Sequence, residues 1–321
     1  MSRGSPKAKQ SGWRPLRPGD TVDIIAPGYR AQDEVLELAV KRLTSWGLKA
    51  RVPRRLFARD LLSSNRDEVR FEHLRAALLA QDSRVVWCLR GGYGSNRLLP
   101  QLDKVRAPKG PAKLLIGLSD ITSLHLAVNQ KWGWPSLHGP LLDRLAGEKL
   151  SPADLHEIKQ VVFGLKSEIS FAKLKALNEA ARARRSIQGP VSGGNLTVLQ
   201  SSLATAMQWQ TAGKILFFED TGERGYRIDR MLEQMRQAGL FQSARAVVFG
   251  QFSGGDEPSG GNLIWPVIRR FAQTLSIPVL GGLPSGHEKH QRPLPFGTRA
   301  TLDLGERLLT VTTGRHFDER V

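Results

Sequence analysis

One cysteine in 321 residues excludes a disulfide framework or a cysteine-based zinc site within one chain. Cys88 sits inside the apolar run Val85-Val-Trp-Cys-Leu89, where a thiol serves as a small core residue rather than as a nucleophile. No run approaches the ~18 to 20 consecutive apolar residues of a membrane helix, so no membrane insertion is expected. Residues 1–12 carry basic side chains with no apolar core behind them, which does not fit a secretory signal, and a cytoplasmic address is the expectation. Acidic residues are scarce as well: 30 Asp and Glu against 47 Lys and Arg give a net charge of +17. Such an excess attracts polyanions without specificity. The basic residues are dispersed over the N-terminal arm (Arg3, Lys7, Lys9, Arg14, Arg17), the stretch 51–59 and the stretch 173–185. They form no zinc finger, RNA-recognition signature or basic zipper, so no specific nucleic-acid partner is expected.

What the chain does have is length enough for one large or two ordinary domains, with 40% hydrophobic residues. Residues 21–26, 48–52, 85–89 and 113–118 read as strands, and residues 33–46, 67–80 and 121–131 as helices. Strand and helix in alternation imply a parallel sheet covered on both faces, with the ligand crevice beyond the carboxyl ends of the strands. Residues 151–163 read as a helix closing this half. Residues 164–188 are then rich in Lys, Arg, Ala and Ser, a shift that marks an inter-domain connection. The second half resumes the alternation: helix 196–206, strand 214–218, helix 226–237, strand 246–250, helix 262–275, strand 278–281, a long polar loop over 282–297, and strands 299–304 and 307–312.

Two loops of the first half lie where a crevice would be. In Gly117-Leu-Ser-Asp120 a short apolar strand turns at once into a helix. A sharp strand-to-helix turn exposes a serine hydroxyl and aims the following backbone N–H at the place where an oxyanion would form. Ser119 and Asp120 are equally good helix N-caps, which is the competing reading of the same residues. The other loop, Arg90-Gly-Gly-Tyr-Gly-Ser95, lets backbone approach a ligand closely but fits neither common phosphate-binding glycine pattern. In the second half, Glu219 and Asp220 end an apolar strand, and His287 and His290 share a Gly/Pro-rich loop after another. Loop histidines point to function more than core histidines do. His287-x-x-His290 with the two carboxylates also reads as part of a metal site.

The stretches Pro27-Gly28, Arg90-Gly-Gly-Tyr-Gly94, Gly117-Leu-Ser-Asp120, Gly193-Gly-Asn-Leu196, Leu216-Phe-Phe-Glu-Asp-Thr-Gly222 and Gly286-His287 resemble, in order and spacing, the motifs of the LD-carboxypeptidase family. Its members are serine peptidases that trim murein tetrapeptides, with microcin-immunity hydrolases as relatives. The resemblance runs from about residue 16 to about residue 304. It implies an N-terminal parallel-sheet domain with flanking helices, a smaller C-terminal α/β domain, and an active site in the cleft between them. The divisions expected are a basic flexible arm over 1–15, a nucleophile-bearing domain over 16–163, a linker over 164–188, and a domain over 189–321 that carries the Glu and the His.

Carried over position by position, Ser119 would be the nucleophile, His287 the general base and Glu219 the acid that orients it. The backbone N–H groups of Asp120 and of Gly91 or Gly92 would form the oxyanion hole. No metal and no cofactor is implied. A murein tetrapeptide or muropeptide would be the substrate, with Arg90, Tyr93, Arg224 and Arg227 nearest the motifs as candidates to bind it, and a homodimer is expected. Leu118 stands where the family has an aromatic, Gly28 where a serine is frequent, and Ala204 where a glycine is common, departures that bear on substrate fit. The alternatives are an immunity-type amide hydrolase of the same fold, with Trp132, Trp134 or Trp209 stacking a base, and an inactive relative that binds polyanions.

Overall fold

The computed structural model describes residues 12–147 and 149–314. β-Branched residues at four of the five positions of Thr-Val-Asp-Ile-Ile suit a half-buried pleat, and they form β1 (Thr21–Ile25). Helix α1 (Asp33–Ser45) opens on Asp33 and Glu34 and carries Arg42 in its last turn, charges that complement the helix dipole. After β2 (Lys49–Arg51), α2 (Asp67–Leu79) buries Phe71, Leu74 and Leu78 on one face. Then follow β3 (Ser83–Cys88), the short α3 (Leu99–Leu102), β4 (Leu114–Gly117), α4 (Thr122–Trp132) and β5 (Ser136–His138). These strands pair in parallel in the order β2-β1-β3-β4-β5. The helices α5 (Leu142–Ala146) and α6 (Pro152–Val162) close the half, α6 starting from a Ser151 cap with proline at its first position.

Residues 164–188, expected as a linker, carry three strands: β6 (Glu168–Phe171), β7 (Lys175–Ala176) and β8 (Ser186–Gln188). The second half then builds β9 (Val191–Asn195), α7 (Leu196–Gln200), β10 (Ile215–Thr221), α8 (Gly225–Gln237), β11 (Ala246–Ser253), α9 (Ile264–Ala272) and β12 (Val279–Gly281). Its four long-range strands are parallel in the order β9-β10-β11-β12, and β7 adds an antiparallel edge to β12. Last come β13 (Leu294–Phe296), β14 (Ala300–Asp303) and β15 (Leu308–Thr312). The order β6-β15-β14-β8 makes a third, antiparallel sheet from two strands of the expected linker and two C-terminal strands.

Four expectations need correction. The loop over 282–297 contains β13, which crosses back to pair antiparallel with β5 at the edge of the first sheet. Three residues are too few to show a period, and Pro295, which has no N–H, is tolerated because the strand is an edge. The helix over 196–206 stops at Gln200, and Ala204 adopts a left-handed φ of 59°. The connection 164–188 is sheet rather than a plain tether, since its apolar residues are few but fall alternately, as Ile169 and Phe171 do. Of the arm 1–15, residues 1–11 lie outside the described residues, while Trp13 is buried because its indole packs into the core beside Leu16.

Strand β10 sits at the centre of the molecule and shows the two-residue alternation of a covered strand. Phe217 joins Phe296, Leu137 and Val248 in an apolar cluster common to all three sheets, whereas Phe218 joins Phe249, Leu232 and Phe271 under the helices of the second half. The two halves therefore share one core.

They also meet where β9 ends. Gly194, at φ 133°, lies so close to Thr122 that a Cβ there would collide with the threonine hydroxyl, and the next residue, Asn195, donates its backbone N–H to Thr122 Oγ1 at 3.0 Å. Thr122 is fully buried and stiff at χ1, so it has no room to yield. Gly194→Ala is expected to lower stability by about 2–4 kcal/mol, from overpacking plus a strained φ. It should also reduce turnover, because the displaced helix start is the one next to Ser119. Chemical denaturation read beside steady-state rates tests both, and an unchanged midpoint would show the contact to be slack.

Candidate active site

The end of β4 folds as the sequence pattern requires. Leu118 is extended at φ −149°, Ser119 takes the left-handed φ of 65°, and Ser119–Ile121 forms a single 3-10 turn that runs into α4. A non-glycine residue held there costs about 1–2 kcal/mol and is found where geometry is demanded of it. Gly117 has to be glycine, since a Cβ would come within 2.8 Å of the Ile121 side chain. Neither Ser119 nor Asp120 caps α4 with its side chain. The Asp120 carboxylate turns inward and accepts from Ser95 N at 2.9 Å; burial raises its pKa against the pull of those donors and of Arg70.

The glycine loop after β3 lies against this turn. A Cβ on Gly91 would be 3.1 Å from the Ser119 Cβ, so the Gly91 backbone abuts the serine. Gly92, at φ 101°, packs on the Tyr29 ring, and Tyr29 N donates to Gly91 O at 2.8 Å. Gly28, where the resemblance implies a serine, has no space for a side chain: its Cβ would collide with Gly91 O and lie 2.9 Å from Asp120 Oδ2. The departure at Gly28 is thus a packing requirement.

Strand β10 supplies the acidic side. Glu219 is fully buried, and its Oε2 accepts from His287 Nδ1 at 2.6 Å, while its Oε1 is buried with no partner among the described residues. His287 follows Gly286, whose φ of 148° brings the loop backbone against Gln251 and Glu219. Burial, the largest influence on His287, disfavours the imidazolium; the charge and hydrogen bond of Glu219 outweigh it, and the pKa ends above 6.5. The neighbouring carboxylate has a different part. Asp220 accepts from Asn195 Nδ2 at 2.9 Å, Thr197 N at 3.0 Å and Thr197 Oγ1 at 2.8 Å, and so ties the β9–α7 turn. Burial, with Glu219 beside it, pushes its pKa up to about 6.

The register joins the two sides. Glu219 on β10 pairs with Asn195 on β9, and Asn195 is bonded to Thr122 of the serine helix. The serine turn after β4 and Glu219 on β10 are therefore linked across β9, through Thr122 and Asn195.

The remaining candidates separate. Arg224 is held by Glu257 (Nε to Oε2 at 2.9 Å), and Arg227 bonds Tyr226 Oη at 3.1 Å and faces Glu223 at 3.4 Å. Arg90 lies 3.9 Å from Asp143, and Tyr93 is 37% exposed. His290 departs from the metal reading by pairing with Asp154 at 2.9 Å, and among the described residues no group of three His, Cys, Asp or Glu side chains has the placement to hold a metal. Trp134 and Trp209 are buried, the latter bonding Ser192 Oγ at 2.9 Å, and Trp132 packs edge-on against Trp134, so none of the three is presented for stacking. A cavity of about 310 Å³ lined by Leu99, Leu126, Val198 and Met207 lies behind the serine helix and contains none of Ser119, Glu219 and His287.

Two residues near the site had no signal in the sequence. His138, at the end of β5 beside Gly117, is fully buried against Phe217 and Phe296 with both ring nitrogens unpartnered among the described residues; burial, then His125 and His287, keeps it neutral. Arg144 on α5 donates from Nη2 to Glu288 O at 2.7 Å, and its charge reaches both Glu219 and His287. An arginine in a short amphipathic stretch reads as a solvated surface group, and only the fold turns this one inward.

Residues 22–139 match the model of the LD-carboxypeptidase N-terminal domain and residues 188–302 that of the LD-carboxypeptidase C-terminal domain. The murein tetrapeptide carboxypeptidase of Pseudomonas aeruginosa is 31% identical over 305 residues, covering 92% of this chain and 96% of its own. The crystal structure of muramoyltetrapeptide carboxypeptidase from Oxalobacter formigenes superposes with a TM-score of 0.77 at 28% identity, covering 92% of this chain and 99% of that one. The microcin C7 self-immunity protein MccF, solved in complex with glutamyl sulfamoyl guanosine, shares the fold at a TM-score of 0.79 and 20% identity, covering 94% and 98%.

The left-handed serine gives a prediction independent of any substrate. Ser119→Gly removes about 1–2 kcal/mol of backbone strain and returns about 0.5–1 kcal/mol of chain entropy to the unfolded state. The protein is expected to gain on the order of 0.5–1 kcal/mol by denaturant titration while losing turnover. A net loss of stability would show that Ser119 is not strained.

Proposed function

This chain belongs to the LD-carboxypeptidase family of serine peptidases, and from that premise we propose that it removes the terminal D-alanine from murein tetrapeptides through an acyl-enzyme formed on Ser119. The observation that carries the reading is the 2.6 Å hydrogen bond from His287 to buried Glu219, on the far side of β9 from a left-handed serine. With Nδ1–H given to Glu219, Nε2 is the basic nitrogen. It takes the Ser119 proton as Oγ attacks the carbonyl carbon of the L-centre, and the imidazolium then hands that proton to the departing amine of D-alanine. Water, deprotonated by the same nitrogen, cleaves the ester and restores Ser119. The backbone N–H groups of Asp120 and Gly91 are the proposed oxyanion donors, Gly91 preferred over Gly92 because its backbone abuts the serine.

The reading has its place of work in the cytoplasmic recycling of wall peptides, with the protein as a homodimer, which sedimentation of the purified chain would check. The amide of a peptide-nucleotide antibiotic is the second substrate class, and it is disfavoured by the burial of Trp134 and Trp209.

Mass spectrometry of the products tests the reaction. Wild type should release one D-alanine from tetrapeptide, with and without EDTA, and Ser119→Ala should release none; an intact tetrapeptide after incubation with wild type would reject the substrate. The pH dependence follows from the sign of the His287 shift. Its neutral form is the base, so kcat/KM should fall about tenfold per pH unit below a pKa that lies above 6.5. Glu219→Gln removes the two largest influences that raise this pKa, leaving Asp220 to raise it against burial and Arg144, which lower it. The acid limb should move to lower pH, with kcat reduced on the order of 10³–10⁴-fold. A limb that stays in place would separate Glu219 from the base.

A further inference from the structure

A carboxypeptidase has to tell a chain end from a chain interior, and the difference at the cleaved residue is one carboxylate. A fixed guanidinium makes that distinction well, because a capped end leaves the cation unpaired. Of the basic residues near the site, Arg224 and Arg227 are committed to Glu257 and Glu223 and lie on the loop and helix beyond β10. Arg90 is 46% exposed and faces Asp143.

Arg144 is placed differently. Its Nη2 is fixed to Glu288 O, the carbonyl next to His287, which holds the guanidinium beside the base. Its Nε is buried with no partner among the described residues, and no carboxylate there lies within 4.0 Å of it. Burial works against its charge, and only Asp143 and Glu219, both beyond ion-pair distance, support it. Asp143 in turn has one buried oxygen without a partner among the described residues, and burial pushes its carboxyl up, with Arg90, Lys149 and Arg144 opposing. A half-buried cation anchored, among the described residues, by a single carbonyl is a site short of one anion.

We propose that Arg144 receives the terminal carboxylate of the substrate, setting the D-residue on the leaving side of the scissile bond next to His287. The inference rests on the carboxypeptidase reading above and names the group that gives it chain-end specificity. It carries a second consequence. Arg144 opposes protonation of His287 in the free protein. A substrate carboxylate on the guanidinium would cancel that field, so the base would strengthen when a correct substrate is bound. The charged and titratable groups facing His287 in that comparison are Glu219 and Asp220 on β10, Arg144 on α5 and His138 on β5.

The test compares murein tetrapeptide with the same peptide bearing a C-terminal amide, on wild type, Arg144→Lys and Arg144→Gln. Wild type should prefer the free acid by about 100-fold in kcat/KM. Arg144→Gln should lose about that factor on the acid, chiefly through KM, and change on the amide by less than about threefold, so the preference disappears. Arg144→Lys, which keeps the charge, should restore part of it and guards against a neutral variant that merely folds poorly. Equal losses of Arg144→Gln on both peptides, or a wild type active on the acid without preference, would overturn the assignment of Arg144 alone. A wild type inert toward both peptides would remove the carboxypeptidase reading and this inference with it.

Discussion

The contact between the ends of two sheets is the constraint on which the rest of the molecule depends. Gly194 closes on Thr122 without a side chain between them, and Asn195 is bonded to the same threonine. Through that one junction the helix that begins at Ser119 is fixed against β9, and β9 is fixed by register to Glu219 on β10. Of the three proposed catalytic side chains, Ser119 comes from the first half and Glu219 and His287 from the second. The shared apolar cluster around Phe217 and Phe296, with β13 inserted into the first sheet, keeps the junction rigid. A hinge between freely moving domains would hold the proposed nucleophile and its proposed base with less precision than amide hydrolysis demands.

Two carboxylates adjacent in sequence have been given opposite tasks by their surroundings. Glu219 and Asp220 are both buried, yet Asp220 is surrounded by donors from Asn195 and Thr197 and serves to hold a turn, whereas Glu219 faces His287 and has an oxygen to spare. A buried carboxylate with few donors is expensive unless a cation or an incipient cation stands beside it. His287 fills that requirement when it is protonated, the state that the proposed mechanism passes through. The left-handed backbone of Ser119 accords with the proposed role, since strained residues concentrate at functional sites.

The net charge of +17 plays little part in this arrangement. Several of the arginines are paired at the surface, as Arg75 with Glu72 and Arg236 with Glu233 are, and such pairs contribute little and weaken with salt. The cation that matters for the site is Arg144, because partial burial raises the worth of its charge to any anion that reaches it.

Much of the architecture was legible in the chain itself. The alternation of apolar runs and amphipathic stretches in the first half specifies β1, α1, α2, β3, β4 and α4 to within two residues, because a strand covered on both faces and a helix with one buried face have distinct periods. The strand-to-helix turn at Ser119 was legible for the same reason, and the ordered motifs singled out Glu219 and His287, which the fold brings into a hydrogen bond. Short elements carry no period. The edge strand β13, the pairing of residues 164–188 with the C-terminal strands and the early end of α7 therefore required the fold to decide them. So did every relation between residues far apart in sequence: the pairing of His290 with Asp154 rather than with a metal, the burial of His138, and the turning of Arg144 toward His287. Sequence determines which side chains a segment offers and to which face; which of them meet across 100 residues or more is settled only when the sheets close on a common core.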